Sequence, residues 1–321
     1  MLVGFGVLIQ PQGEWVHWAA CFGMVCQCFP RTRFFRGSPM WQTAKTGRWF
    51  SGVLILVVSL CARAAAEGLP SRVEGPSVHP LATTIQFAET RLAYIREHVR
   101  TYRCQLVKRE RMGGRMQAYQ YADVMVQCSH GEVGETQQPM SVFMRFLGPA
   151  KMKGRIVLFT EGQDDNLAWV RMGGSGLFKD VELKIDPHGD AAKRESRYPI
   201  NQIGFDQIME RLIDLANADL KADPQGKNTV VTYFRNAKLK DRSCTHIEVV
   251  HPQRAESLAF HKASLYVDDE LNVPVRLVVY DWPASPDAGP KLVEEYNYVN
   301  LQLNVTLPHD VFHKAKYFNE K

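Results

Sequence analysis

The chain has 321 residues, of which 45% are hydrophobic and 23% are charged, and its formal net charge is +5. This composition supplies enough apolar side chains for a buried core and excludes a globally disordered chain. The excess of basic residues is too small to indicate nucleic-acid binding by charge alone, so we expect no nucleic-acid partner.

The N-terminal part reads as targeting sequence rather than as part of a fold. Residues 1–39 show no clean hydrophobic period, and we interpret them as a mis-set translation start or an extended leader. Residues 40–66 have the order of a signal peptide: Lys45 and Arg48, an apolar run at 49–60, and small residues around Ala64 for cleavage. The sequence therefore predicts export through a cleaved signal peptide to the periplasm or cell envelope. A linker at 67–80 and a single β domain over 81–321 are expected to follow.

Beyond the linker, the hydrophobic pattern predicts a helix followed by many short strands. Apolar residues recur at steps of three and four from Leu81 to Val99, which is typical of an amphipathic helix. Glycine and proline turn signals then separate short β-prone runs, which indicates an antiparallel meander rather than βαβ units. The runs lie at 102–111, 117–128, 141–147, 155–161, 166–172 and 178–185. A second amphipathic helix is predicted over 205–220, and four more strands at 229–235, 244–251, 259–268 and 273–282.

The last strand and the tail carry a first family resemblance. From Tyr296 to Val305, aromatic or polar side chains at even positions alternate with apolar side chains at odd positions. This period of two predicts a half-buried strand, and Leu307-Pro308 then breaks it. Val311-Phe312 can pack an aromatic ring back onto the sheet. This order resembles the C-terminal signature of the periplasmic lipoprotein-carrier superfamily (LolA/LolB-like). The resemblance implies an α+β, mainly antiparallel fold: a curved open sheet, or half-barrel, covered by two or more helices.

Shorter pieces along the chain resemble a second, narrower group. These pieces are Tyr102-x-Cys104 before Lys108-Arg109-Glu110-Arg111, Pro139 to Met144, Lys153-Gly154-Arg155, Arg197-Tyr198-Pro199-Ile200 with Gly204-Phe205, and Tyr280-Asp281-Trp282-Pro283. Together they resemble an exported bacterial domain family of unknown function (DUF1571-type). The resemblance covers about residues 81–318 and implies the carrier-like fold, but it implies no activity.

Three cysteines follow the predicted cleavage site: Cys104, Cys128 and Cys244. An odd number in an exported protein allows one disulfide and one remaining thiol. We favour Cys104 with Cys244, because each opens a predicted strand and the two strands are far apart in sequence. A bond between Cys104 and Cys128 across neighbouring strands is the second interpretation, and three unpaired buried thiols are the third.

Basic residues supply the candidate polar anchors for a ligand. Arg197 precedes the second helix, where a fixed positive charge can hold an anionic headgroup; alternatively, Tyr198 packs while Arg197 bridges to a nearby acid. Arg155 is the other candidate anchor. The segment Lys108-Arg109-Glu110-Arg111 alternates between the faces of a strand, which we interpret as a solvated edge rather than a basic rim at a ligand mouth.

Apolar side chains supply the candidate cavity wall. Met140, Val142, Met144 and Phe146 share one face of a predicted strand. Flexible thioethers suit a cavity for acyl chains of variable shape, although ordinary core packing is the default interpretation of them. His246 and Glu248 come nearest to a metal site, but Ile247 and Val249 claim the core side of that strand, and the sequence predicts neither a metal nor a cofactor.

These observations predict an exported, non-catalytic binding protein. It would hold a lipid, an acyl chain or a lipidated protein in an apolar cavity of a curved sheet, and a peripheral membrane contact is compatible with that role. The alternative is a structural or protein-interaction module of the cell envelope. No catalytic motif supports an enzyme.

Overall fold

The computed structural model describes residues 78–129, 138–285 and 287–319. The predicted leader, the signal peptide and nearly all of the linker lie outside the described residues. Within the described part, no helix is long and apolar enough to cross a membrane.

The described residues form three α-helices and twelve strands. The helices are α1 (Pro80–His98), α2 (Asp190–Glu195) and α3 (Phe205–Ala222). The strands are β1 (Thr101–Met112), β2 (Arg115–Met116), β3 (Gln120–Gln127), β4 (Ser141–Gly148), β5 (Ile156–Thr160), β6 (Ala168–Arg171), β7 (Glu182–Ile185), β8 (Val230–Leu239), β9 (Arg242–Val250), β10 (Lys262–Asp268), β11 (Pro274–Asp281) and β12 (Lys291–Leu303). Every predicted helix and strand is found, with ends that differ by a few residues, whereas α2 and β2 have no counterpart among the predicted elements.

The strands form one antiparallel sheet in the order β7-β6-β5-β4-β3-β1-β12-β11-β10-β9-β8, and β2 pairs with β1 alone. The sheet does not close on itself, so β7 and β8 are its edges. Its inner face, defined here as the face that carries α1 and α3, holds the larger part of the buried core. The predicted fold class, a curved open antiparallel sheet covered by helices, is confirmed.

The position of β1 corrects one expectation. β1 lies between β3 and β12 in the middle of the sheet, so its basic segment is not an edge. Lys108 is only 7% exposed and Glu110 only 2%, because both side chains alternate onto the inner face. The expectation of a solvated edge is wrong, since the burial of β1 depends on its pairing with β12, nearly the whole domain away in sequence.

The two long helices are fixed by local capping and by aromatic packing. Pro80 opens α1, and the ring of His79 accepts a hydrogen bond from the backbone of Leu81 at 3.1 Å, which satisfies one of the free amides of the first turn. The Phe205 ring at the start of α3 packs against Tyr102 and Tyr298, with centroids 4.5 Å and 5.0 Å apart. α1 and α3 then pack against each other over the inner face.

A bulge in β12 changes the residues that face the core from even to odd positions. Tyr296 and Tyr298 point to the inner face, but beyond Asn300, whose φ is +54°, it is Leu301 and Leu303 that pack against the same core. The pairing with β1 shifts at this point. The strand predicted from a period of two is confirmed, although the period changes phase within it.

The tail covers the outer face of the sheet. Val311, Tyr317 and Phe318 form a second buried cluster with Phe143 and neighbouring residues of β5. The ring of Tyr317 lies 4.7 Å from that of Phe143. Phe312 packs at the margin of this cluster, so the predicted return of the tail to the sheet is confirmed.

The predicted disulfide is not formed, because Cys104, Cys128 and Cys244 are all buried free thiols. Cys104 lies on β1 and Cys244 on β9, with three strands between them, whereas a disulfide needs Cα atoms within about 7 Å. The second pairing fails as well: Cys104 opposes Val124, which leaves Cys128 four residues further along, about 13 Å away at the rise of a strand.

Candidate functional site

A cavity of about 350 Å³ lies between the inner face of the sheet and the chain that connects β7 to α3. We call this connection, residues 186–204, the cover; it contains α2 and a 3-10 turn (Ile200–Gln202). Ile208 and Arg211 of α3 complete the wall on that side. The volume falls within the range of cavities that bind small molecules, about 300–1,000 Å³.

Most of the cavity wall is apolar. The side chains of the sheet strands that line it include Leu106, Met144, Phe146, Val157, Ala168, Val170, Leu277 and Tyr298. The cover contributes Pro187, Ala191, Ala192, Pro199, Ile200 and Ile203, and two further flexible thioethers come from Met152 and Met172. Contact between such a wall and an apolar ligand is favourable, because it removes apolar surface from water. The flexible thioethers can adapt to the shape of the ligand, and the wall offers water few hydrogen-bond partners.

The structure brings four of the seven predicted ligand-binding residues to this cavity: Met144, Phe146, Arg155 and Tyr198. Met140 and Val142 share the strand face of Met144, as predicted, but they lie in the packed core beside the cavity. Arg197 is paired with Glu294, with 2.6 Å between its Nε and the carboxylate, as in the alternative interpretation of that segment.

A buried polar cluster lies on the wall where β1 meets the cover. The Nζ of Lys108 donates to Glu110 Oε2 at 2.9 Å and to Ser196 Oγ at 2.8 Å. Glu110 also accepts from the hydroxyl of Tyr296 and, at 3.4 Å, from the backbone N–H of Arg197. Burial alone would raise the pKa of Glu110, but the Lys108 charge and these hydrogen bonds outweigh it and lower the pKa. Glu110 is therefore a stable carboxylate, and the cluster ties the cover to the sheet.

A second carboxylate, Glu294 on β12, ties the next part of the cover. It accepts from Arg197 Nε and, at 2.9 Å, from the hydroxyl of Tyr198. Burial raises the pKa of Glu294 in spite of these contacts, so its environment favours the protonated form more than that of Glu110 does. Burial and the nearby Glu294 also raise the pKa of Tyr198, to about 12. Tyr198 is thus a hydrogen-bond donor at neutral pH.

Three arginines of the cavity wall, Arg155, Arg211 and Arg276, each have a buried nitrogen without a hydrogen-bond partner among the described residues. Arg155 pairs with Glu195 of the cover at 3.1 Å, but its buried Nε has no hydrogen-bond partner among the described residues. Arg211 lies with its guanidinium 3.8 Å from the centroid of the Tyr198 ring, and its buried Nη1 is equally without a partner in the described part of the chain. A buried donor without a partner is costly, and an arginine N–H pairs strongly with an anionic or carbonyl oxygen.

Sequence reasoning missed Lys108, Glu110 and Ser196 as wall residues. The local pattern held one usable signal, namely that Lys108 and Glu110 share a strand face with Leu106 and Cys104, which is the core face. No group of three or more metal-ligating side chains occurs among the residues that the structure describes.

A family model described as "Protein of unknown function (DUF1571)" matches residues 99–317. The match confirms the narrower of the two predicted resemblances. A comparison with curated proteins finds no match.

Solved structures show looser likenesses. A DUF1329 family protein from Desulfovibrio piger is 14% identical, with 74% of this chain and 99% of that chain covered and a TM-score of 0.33. A LolA superfamily protein from Nitrosomonas europaea is 13% identical, with 71% and 98% covered and a TM-score of 0.31. LprF from Mycobacterium bovis is 11% identical, with 72% and 99% covered and a TM-score of 0.32. At these scores, what the cavity binds has to be inferred from its own geometry.

Proposed function

This chain belongs to the DUF1571 family of proteins of unknown function, and we propose that it is an exported, non-catalytic binding protein. In this proposal the cavity holds the apolar chain of a lipid, a free acyl chain or a lipidated protein. The observation that carries the proposal is the cavity itself, with its largely apolar wall between sheet and cover. Ordinary packing would fill such a space with side chains, since interiors rarely leave voids larger than a water molecule.

The wall supports an amphiphilic ligand rather than a purely apolar one. Burial of each methylene would contribute about 0.8 kcal/mol to affinity. Arg155 and Arg211 each present a buried donor that the described residues leave unpaired, and both line the cavity. A ligand with an acyl chain and one polar or anionic end would satisfy both parts of the wall, as the sequence predicted for Arg155.

The polar cluster supports binding rather than catalysis. Ser196 Oγ lies 2.8 Å from Lys108 Nζ, a distance that a serine nucleophile and a lysine base would also show. Lys108 Nζ donates to both Glu110 and Ser196, however, so in this arrangement it does not accept the hydroxyl proton. The serine hydroxyl instead bridges the cover to the sheet.

The test is native mass spectrometry and lipid extraction on the protein purified from its cells, followed by uptake of a fluorescent fatty acid. Met144 lines the cavity, whereas Met125 lies on the neighbouring strand and packs on the outer face, so the two methionines form a matched pair. We expect Met144→Trp to displace about two methylenes of ligand, which would weaken binding by roughly tenfold. Met125→Trp should bind as the wild-type chain does. A wild-type chain with an empty mass and no uptake would contradict the proposal.

The second candidate function, a structural or protein-interaction module of the cell envelope, rests on strand β8. This edge strand exposes Val230, Tyr233 and Phe234. An exposed edge offers unpaired backbone groups to a strand of another protein. If the cavity is empty and takes up no fatty acid, a protein that protects the β8 amides from hydrogen exchange would establish this function instead.

A further inference from the structure

The loop that joins β6 to β7, residues 172–181, exposes two large apolar side chains at its tip. Leu177 is 97% exposed and Phe178 is 76% exposed. They are neighbours in sequence, and neither belongs to a hydrophobic cluster of the residues that the structure describes. Scattered apolar residues are normal on a protein surface, but an adjacent pair at a protruding loop is an uncommon arrangement.

The loop has a defined conformation. The amide of Met172 donates to the carbonyl of Val181 at 2.8 Å, and the amide of Asp180 donates back to Met172 at 3.0 Å, which closes its base. Gly174 donates to Lys153 at 2.8 Å and fastens the loop to the turn after β4. A Cβ at Gly173 would lie only 2.2 Å from the backbone nitrogen of Arg155. Close backbone contacts thus hold Leu177 and Phe178 in their outward position.

Three exposed lysines lie in the loop or in the turn to which it is fastened. Lys151 and Lys153 are exposed in the turn to which the loop is fastened, and Lys179 is exposed next to Phe178. Within the two segments 149–154 and 172–181, Asp180 is the single acid that opposes these three lysines. An apolar tip accompanied by lysines is complementary to a bilayer with anionic headgroups, because lysine stems can lie along the interface while the ammonium groups stay at the phosphates.

The loop also lies beside the cavity. Met172 at the beginning of the loop lines the cavity wall, as do Leu183 and Ile185 of β7, the strand into which the loop leads. A surface that docked on this loop would therefore lie next to one wall of the space that holds the apolar ligand.

We propose that residues 172–181 form a membrane-docking hairpin that inserts Leu177 and Phe178 into the interface of an anionic lipid bilayer. The lysines at 151, 153 and 179 supply the electrostatic attraction. A bilayer fits better than a protein partner, because specific protein interfaces bury about 800 Å² on each side and two side chains offer far less. The docking deepens the proposed function by naming the surface with which ligand is exchanged, but it does not depend on what the cavity contains.

The experiment uses the full chain and vesicles of phosphatidylcholine, with or without phosphatidylglycerol. In the variant Phe178→Trp the new indole reports on the loop itself, by difference from the wild-type emission. We expect a blue shift and quenching by brominated lipid with the anionic vesicles, and a weaker response at high salt. If the new indole keeps the emission of an indole in water, the proposal is overturned, whatever the rest of the chain does.

Affinity is measured on Leu177→Ser/Phe178→Ser, with Val78→Ser as the control for loss of an exposed apolar residue elsewhere. We expect the double variant to bind anionic vesicles at least about tenfold more weakly, because the apolar area buried in the interface supplies much of the affinity. It should keep the wild-type melting temperature and the wild-type uptake of fatty acid. Equal binding of vesicles by the double variant and the wild-type chain would overturn the docking. A wild-type chain that binds no vesicles but self-associates, with the self-association lost in the double variant, would overturn it as well. A wild-type chain that binds the vesicles but takes up no fatty acid would instead count against the cavity alone.

Discussion

Replacement of Lys108 by methionine tests the buried ion pair on the cavity wall. Methionine has a similar length but carries no charge, so Glu110 would remain a carboxylate with 1% of its side chain exposed and without its cation. Breaking a buried pair in this way costs about 3–5 kcal/mol. We expect the lower value, about 3 kcal/mol, because Tyr296, Ser196 and the backbone of Arg197 still donate to Glu110. For a domain of this size the melting temperature should then fall by roughly 6–12 °C.

The pH dependence of this loss has a definite sign. The folded-state pKa of Glu110 is lowered, so its contribution to stability is present above its unfolded value of about 4.3 and is lost as the pH falls through the folded value. The free energy of unfolding, measured by chemical denaturation, should therefore differ most between wild type and Lys108→Met at pH 7, and the difference should shrink below pH 4. Glu110→Gln in the Lys108→Met background should restore part of the stability. Lys193→Met, on the exposed face of α2, is the control and should change stability by less than about 0.5 kcal/mol. A cost below 1 kcal/mol at pH 7, or one that does not vary with pH, would refute the buried pair.

Two further predictions concern buried groups. Burial raises the pKa of Cys104 and of Cys128 to about 12 each. Neither thiol should therefore react with iodoacetamide at pH 8 until the protein is unfolded. Peptide mapping that finds either thiol modified in the native state would contradict the fold around β1. Gly173→Ala should destabilise the chain by about 2 kcal/mol or more in thermal melts, because the new methyl group meets backbone atoms that cannot move aside. Gly289→Ala is the control: no atom lies within 4 Å of its Cβ, so its melting temperature should be close to that of the wild type.

The sequence predicted those features that depend on neighbouring residues. The faces of α1 and α3, the order of the strands along the chain and the shared face of Met144 and Phe146 follow from local periods of 3.6 and 2. The identity of the chain's family also followed from short motifs. The presence of a curved open sheet came from the resemblance of the tail rather than from any period.

The remaining features depend on which strands meet. From the sequence alone, Lys108 and Glu110 are predicted to be solvated. They are buried because β1 pairs with β12 on one side and with β3 on the other, which places it in the middle of the sheet. The phase change at Asn300 is equally non-local, because it is set by the register with Arg103 and Gln105. Ser196 lies in a polar connection without a period, and its role appears only when the cover is folded back onto β1.

The ties between cover and sheet should set the rate of ligand exchange rather than the affinity. Ser196 bridges Lys108 and Glu110 in the closed structure, and if the cover closes over a ligand in the same way, this bridge is present in both the empty and the filled state. Its contribution then cancels in Kd but opposes the opening that exchange requires. Ser196→Ala, which removes about 1 kcal/mol of hydrogen bonding, should therefore raise both the association and the dissociation rate of a fluorescent fatty acid by roughly fivefold and leave Kd unchanged. If the ligand instead holds the cover open, the bridge is lost on binding, and the same variant would tighten Kd by a similar factor. Stopped-flow measurement of both rates separates these outcomes, and a variant with unchanged rates would show that the cover does not open for exchange.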